Sequence, residues 1–193
     1  MRKNREWQRM LSGRRLDILD PSPLDIEIED IAHGLSFLAR WNGQTVGDYP
    51  FSVAQHSLLV EKIFSMQFPD MDNPSKLFAL LHDSAEYVIG DMISPIKSHL
   101  GPEYEELDEN LTKAICMRFN IPTKKIETIK KRVKIADKKA AWLEAINLAG
   151  FSQRDADRIF GKQKEIEGFE SNLLPEAPFI VRKNFVNRFN ELY

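Results

Sequence analysis

His82, Asp83 and Glu86 sit together in LHDSAEY, within an otherwise apolar stretch. On a helix, residues i and i+4 share a face, and i+1 is turned by about 100° from i. The three side chains can therefore project toward one centre from adjacent rows. Ionisable groups on a largely apolar helix are costly unless they pair with one another or bind a metal. Asp91 follows directly after Gly90, where the helix is expected to stop. Taken alone, the His-Asp pair reads more simply as a buried hydrogen-bonded pair.

Two further residues change that weighing. His56 lies 26 residues before His82, in SVAQHSLLV, and Asp137 lies 55 residues after it, in KIADKKAAWLEA. Each is a polar residue beside an apolar stripe. Together they make two imidazoles and two carboxylates on three predicted helices. A mixed nitrogen and oxygen donor set of this kind suits Mn, Fe, Co, Ni or Zn rather than a thiolate-seeking metal. The single cysteine, Cys116, excludes a Cys-based zinc site and an internal disulfide framework. It fits a reducing cytoplasm.

The elements that must position these residues are helices. Ser57 to Met66 places Leu58, Leu59, Ile63 and Met66 on one side. Asn73-Pro74 reads as an N-cap and first-turn proline, opening a helix through KLFALLHDSAEYVI to Gly90. Pro102 opens another, with Leu107, Leu111, Ile115 and Phe119 at four-residue spacing. Thr123 can cap a long helix to about Gly150, with Ile126, Ile129, Val133, Ala136, Ala140, Leu143 and Ile146 as its apolar stripe. A last amphipathic helix covers Phe179 to Leu192. Strand alternation is scarce, so the expected class is all-α. Residues 1–30, rich in turn formers, read as an irregular lead-in packed on the domain. Residues 31–150 form the helical core, and 151–193 a helical extension of it.

Composition narrows the function. With 193 residues, 42% hydrophobic and 29% charged, the chain can bury a core without staples. Apolar runs such as Leu77 to Leu81 are too short for a membrane span. The basic N-terminus lacks the apolar segment of a secretory signal. A net charge of -2 gives no general attraction to nucleic acid. The run at 124–139 carries eight basic and two acidic side chains. Its Ile and Val positions keep helical spacing, so it reads as a solvated face that can steer an anionic substrate.

The pattern H…HD…D, with HDSAE at 82–86, resembles the HD-domain metal-dependent phosphohydrolases. It is most similar to the YfbR-like 5'-deoxynucleotidase branch. Arg40-Trp41 before the first metal histidine, Gly90-Asp91, and Ser94-Pro95-Ile96-Lys97 add to the likeness. The stretch IEDIAHGLSFLARWNGQT…YPFSVAQHS also resembles uncharacterised bacterial members of the superfamily. The resemblance spans roughly residues 10–150 and implies an HD-domain helical bundle with the metal site between core helices.

Carried over residue by residue, the resemblance implies that His56, His82, Asp83 and Asp137 hold one divalent ion, with Mg also allowed. Glu86 is implied as general acid/base and not as a ligand. Asp91 would order water or the leaving group. Arg40 and Lys97 would face phosphate oxygens, and Trp41 would wall the sugar or base. The implied reaction is hydrolysis of deoxynucleoside 5'-monophosphates. A deoxynucleoside triphosphate triphosphohydrolase shares the ligand set and is the alternative. A non-catalytic nucleotide-binding HD module would normally lack a ligand or the catalytic carboxylate, and none is missing here. Relatives of this type form homodimers, although no interface is legible in the sequence.

Structural alternatives stand beside these roles. Trp41 can plug the edge of the core, Arg40 can pair with an upstream acid, Lys97 can be a surface lysine, and Asp91 can cap a turn. His33 is expected to serve as a structural hydrogen-bonding residue near the site, and His99 to lie solvated in a polar loop.

Overall fold

The structure is a computed structural model and describes residues 6–122, 126–164 and 173–193. The described residues are mostly helical, with one small hairpin. The hairpin falls in the expected irregular lead-in. Strand β1 (Trp7–Arg9) pairs antiparallel with β2 (Arg15–Asp17), in the register Gln8 opposite Leu16. Gly13 turns the chain between them at φ 96°, a conformation that favours glycine. Leu16 is fully buried, and this anchors the hairpin on the helical body.

Nine α-helices follow among the described residues. They are α1 (Ile28–Phe37), α2 (Val53–Gln67), α3 (Asn73–Leu80), α4 (Glu86–Ile89), α5 (Ser94–Leu100), α6 (Pro102–Arg118), α7 (Ile126–Asn147), α8 (Gln153–Phe160) and α9 (Pro178–Leu192). Helix α2 is central and packs on α1, α3, α7 and α9. Its Val60, Ile63 and Phe64 are fully buried. On α7, the expected stripe Ile129, Val133, Ala136, Ala140 and Leu143 is buried, while Lys130, Lys131, Lys134 and Lys138 are exposed. Burying that stripe is what ties α7 to α2.

Several local expectations are corrected. The helix opening at Asn73 is capped one residue earlier, because the Asp72 carboxylate accepts from Ser75 N. It does not run unbroken to Gly90. α3 ends at Leu80, residues 81–85 form tight turns, and α4 restarts at Glu86. The reason is local competition for carbonyls. The Ser84 hydroxyl donates to Leu81 O, and His82 Nδ1 donates to Ala79 O. Backbone bonds three residues apart, such as Ser84 N to Leu81 O and Glu86 N to Asp83 O, tighten this stretch. The long helix α7 ends at Asn147 rather than near Gly150. Its proposed cap, Thr123, lies outside the described residues. Ser94 to Leu100 is helical, so Lys97 and His99 stand on α5 and not in a loop, although His99 is exposed as expected.

Candidate metal centre

His56 enters from the first turn of α2. Ser52 caps that helix by accepting from Gln55 N at 3.2 Å. The His56 side chain is fully buried, and its Nδ1 donates to Glu144 Oε1 at 2.5 Å. Burial alone would raise the Glu144 carboxyl, but Arg40 and His56 outweigh it and hold it at about 2. An ionised carboxylate only accepts, so the His56 proton sits on Nδ1 and Nε2 faces the site.

His82 reaches the same tautomer differently. Its Nδ1 lies 2.9 Å from Ala79 O, a carbonyl that can only accept. Its Nε2 therefore also carries the free lone pair. The two imidazole rings stand 5.3 Å apart. Among the described residues, neither Nε2 has a hydrogen-bond partner.

Carboxylates close the centre. Asp137 Oδ1 is 3.2 Å from His56 Nε2. Asp83 Oδ2 is 3.4 Å from His56 Nε2 and 3.2 Å from His82 Nε2. The broken helix matters here, because it lets neighbours His82 and Asp83 aim at one point. Ligand atoms of His56, His82 and Asp137 all lie within 4.8 Å of one another, close enough to hold a metal ion. Donors of one ion, each about 2.0–2.3 Å from it, stand about 3–4.5 Å apart.

Lone pairs on Nε2 facing two carboxylates repel unless a cation lies between them. A proton can serve. Burial and Arg40 oppose a charge on His56, yet Glu144, Asp137 and Asp83 prevail and raise its pKa well above the ordinary value. Burial alone would raise both aspartates, but His82 and His56 hold Asp83 well below its usual range, and His56 lowers Asp137. Two imidazoles and ionised carboxylates, poised and mutually unsatisfied, fit a divalent ion equally well.

Glu86 is buried beside the centre. Its Oε1 accepts from Lys97 Nζ at 2.8 Å, while Oε2 has no partner among the described residues. Burial, then the charges of Asp83 and Asp91, push its pKa up to about 8, with Lys97 pulling the other way. Burial also opposes the Lys97 ammonium, but Glu86 more than compensates and keeps it charged. Burial raises Asp91, which sits in the field of Arg40, Lys97, Asp83 and His56.

Arg40 and Trp41 come from a short 3₁₀ turn, Arg40–Gly43. Its base is clamped by an Ala39–Ser52 bridge and by Arg40 N donating to Phe51 O at 2.9 Å. Arg40 Nε and Trp41 Nε1 each donate to Glu144 Oε2 at 2.9 Å. Arg40 Nη1 lies 3.8 Å from Asp83 Oδ2. The Trp41 ring packs against Phe151 and Phe160. Its φ of 56° is unusual for a bulky side chain, and the bond to Glu144 helps to hold it there.

Glu144 is the residue that sequence reasoning missed. It organises His56, Arg40 and Trp41 together. A signal was present: it follows Asp137 by seven residues on α7, two turns along the same face, inside the apolar run AAWLEAI. His33 hydrogen-bonds as expected: Arg182 Nη1 on α9 donates to its Nδ1 at 3.1 Å, in a separate cavity lined also by Leu11, Ser12 and Lys183.

The metal centre opens into a cavity of about 390 Å³ between α6 and α7. Besides His82, Asp83 and Asp137, its wall carries Asp108, Glu109 and Thr112 from α6 and Lys130 and Lys134 from α7. Among the described residues no helix is long and apolar enough to cross a membrane.

The fold and site thus define a helical protein with an imidazole–carboxylate centre able to hold a metal. No family model matches the chain. It is 55% identical over 190 residues to the uncharacterized protein RCAP_rcc00048 of Rhodobacter capsulatus, covering 97% of this chain and 96% of that one. The chain belongs to the family of that protein.

Proposed function

We propose that the protein is a metal-dependent phosphohydrolase of nucleotides, with hydrolysis of deoxynucleoside 5'-monophosphates to deoxynucleoside and phosphate as its first reaction. The observation that carries this reading is the convergence of two Nε2 atoms and two carboxylates, with His82, Asp83 and Asp137 lining a cavity and with a Glu86 oxygen that has no hydrogen-bond partner among the described residues. His56, His82, Asp83 and Asp137 would hold the ion, drawn from Mn, Co, Fe, Ni, Zn or Mg. When bound, such an ion lowers the pKa of water and neutralises phosphate charge.

The chain's own groups supply the rest. Glu86, buried and raised toward neutrality, holds a proton for the leaving oxygen or takes one from the attacking water. Lys97 fixes its Oε1, so Oε2 is the atom that exchanges the proton. Arg40, anchored through Nε on Glu144, keeps Nη1 on the Asp83 side, where a phosphate can be met. Asp91 orders water near the leaving group. Trp41, held by Glu144, walls the sugar or base from the opposite side.

The triphosphohydrolase reading draws on one specific observation. The cavity wall carries two lysines, Lys130 and Lys134, beyond the cations near Glu86. A phosphate-release screen over mono-, di- and triphosphates of ribo- and deoxynucleosides, with Mn, Co, Mg and Zn compared, tests both. Phosphate from deoxynucleoside monophosphates supports the first reaction. Intact triphosphate from a deoxynucleoside triphosphate, with nothing from monophosphates, moves the reading to the second. No hydrolysis with any metal removes both.

A further inference from the structure

Gly101 turns the chain between α5 and α6 at φ 69°. Tyr104, in the first turn of α6, thereby folds back onto Lys97, whose Nζ lies 5.9 Å from the centre of its ring. That is within reach of a cation–π contact. The same ammonium holds Glu86 Oε1 at 2.8 Å, so Lys97 links the tyrosine to the acid/base. Tyr104, Asp108 and Thr112 follow at four-residue steps and share a face of α6. Asp108 and Thr112 line the cavity at the metal centre. Tyr104 is 9% exposed, yet its Oη has no hydrogen-bond partner among the described residues. A buried tyrosine hydroxyl ordinarily finds one. Burial pushes its pKa up, Lys97 opposes, and Glu86, Asp108 and Asp91 add, which brings it to about 12. The hydroxyl therefore keeps its proton and is a donor. Glu86 Oε2 is likewise buried and without a partner among the described residues. Both orphaned groups belong to side chains that meet at Lys97.

We propose that Tyr104 Oη donates a hydrogen bond to the leaving oxygen of the substrate, the same oxygen that Glu86 protonates. This rests on the phosphohydrolase reading and deepens it by adding a catalytic residue from α6, a helix that carries none of the other groups assigned to the reaction. In the step, water adds its oxygen to phosphorus while the bond from phosphorus to the nucleoside 5' oxygen breaks. The electron pair of that bond passes to the 5' oxygen, which takes the Glu86 proton. The attacking water returns a proton to the Glu86 carboxylate, so the products are nucleoside and phosphate and Glu86 ends as it began. Tyr104 transfers no proton. Its hydrogen bond strengthens as charge gathers on the 5' oxygen, so it acts chiefly in the transition state. The same oxygen departs whether one phosphate or three are attached to it, and the role of Tyr104 is the same in both reactions.

The experiment compares the native protein with Tyr104→Phe on dAMP with Mn²⁺, or on dATP if the monophosphate is not cleaved. Phenylalanine keeps the ring beside Lys97 and removes only Oη. The kcat should fall about ten- to a hundredfold, up to the loss found for a single donor to a developing oxyanion. KM should move by less than about threefold, because the contact forms chiefly in the transition state. The Ki of the inorganic product, phosphate or triphosphate, should also hold within about threefold, since that product lacks the leaving oxygen. Tm should stay or rise, because a buried hydroxyl without a partner is removed. A kcat within about twofold of the native value overturns the proposal. So does a product Ki that rises as far as kcat falls, which puts the hydroxyl on phosphate instead. If the native protein cleaves neither nucleotide, the phosphohydrolase reading fails and the proposal falls with it. An active native protein matched by an equally active Tyr104→Phe variant sinks the proposal alone.

Discussion

Glu144 accepts the Nδ1 proton of His56 from a position two turns beyond Asp137 on the same helix. One face of α7 thus offers an oxygen to the candidate metal centre and, seven residues later, fixes the His56 imidazole there. Partners of this kind set tautomer and ring orientation, and their loss costs about 10–100-fold in metal affinity. Glu144→Gln should keep the fold and weaken metal binding by that amount, read by competition with a chelating dye. Unchanged affinity would remove Glu144 from the centre.

Glu144→Ala is a harsher change. It leaves Arg40, Trp41 and His56 around a hole where a carboxylate stood. Breaking a buried charge pair from one side costs about 3–5 kcal/mol. For a chain of this length that lowers Tm by roughly 6–20 °C. A melt within 2 °C of the native protein would show that Arg40 finds other partners at no cost.

Metal removal gives a third expectation. An ion at 100 times its Kd stabilises the native state by about 2.7 kcal/mol. Chelation should then lower Tm by roughly 5–10 °C. Asp137→Ala should be insensitive to the same treatment and should purify without stoichiometric metal by elemental analysis. Full metal occupancy in that variant would place the ion elsewhere.

Away from the centre, Glu27 ties the hairpin segment to the helical body. It pairs with Arg14 at 2.7 Å and Arg118 at 3.0 Å, while Arg118 Nε donates to Ile26 O. Arg14 first, with burial opposing and Arg118 adding, holds the Glu27 carboxyl below its ordinary value of 4.5. A depressed folded pKa means the contribution is full above 4.5 and is lost as pH falls through the folded value. Glu27→Gln should therefore differ from the native protein at pH 7 and converge with it in acid, once the pH has fallen below the folded value. Parallel Tm curves across that range would contradict this.

Much of the helical frame was legible because burial imposes the 3.6-residue period, as on α7 from Ile129 to Leu143. Histidines and aspartates drew notice because charged groups rarely interrupt apolar helices. The break at residues 81–85 was not legible. It depends on whether Ser84 and His82 bond to nearby carbonyls, which periodicity does not encode. Glu144 was passed over because a glutamate on a long amphipathic helix reads as a solvated residue until its partners, more than 80 residues away, are brought alongside. Arg40 pairs with a downstream acid, Glu144, rather than with one of the upstream acids near it in the chain.

The last expectation separates Glu86 from the ligands around it. Lys97 Nζ holds Glu86 Oε1 at 2.8 Å, and burial with Asp83 and Asp91 keeps the carboxyl near neutrality. Glutamine preserves the shape and can still accept from Lys97 through its amide oxygen. What it cannot do is exchange a proton at the second position. Glu86→Gln should therefore retain bound metal and lose about 10²–10⁴-fold in kcat on whichever nucleotide the screen identifies. Lys97→Ala should act differently. It frees Oε1 and removes the charge that pulls the Glu86 pKa down, so the basic form is reached only at higher pH and the pH–rate profile moves alkaline. If Glu86→Gln instead loses its metal while keeping its melt, Glu86 is a ligand and the proton must be carried by another group, with Asp91 next in line.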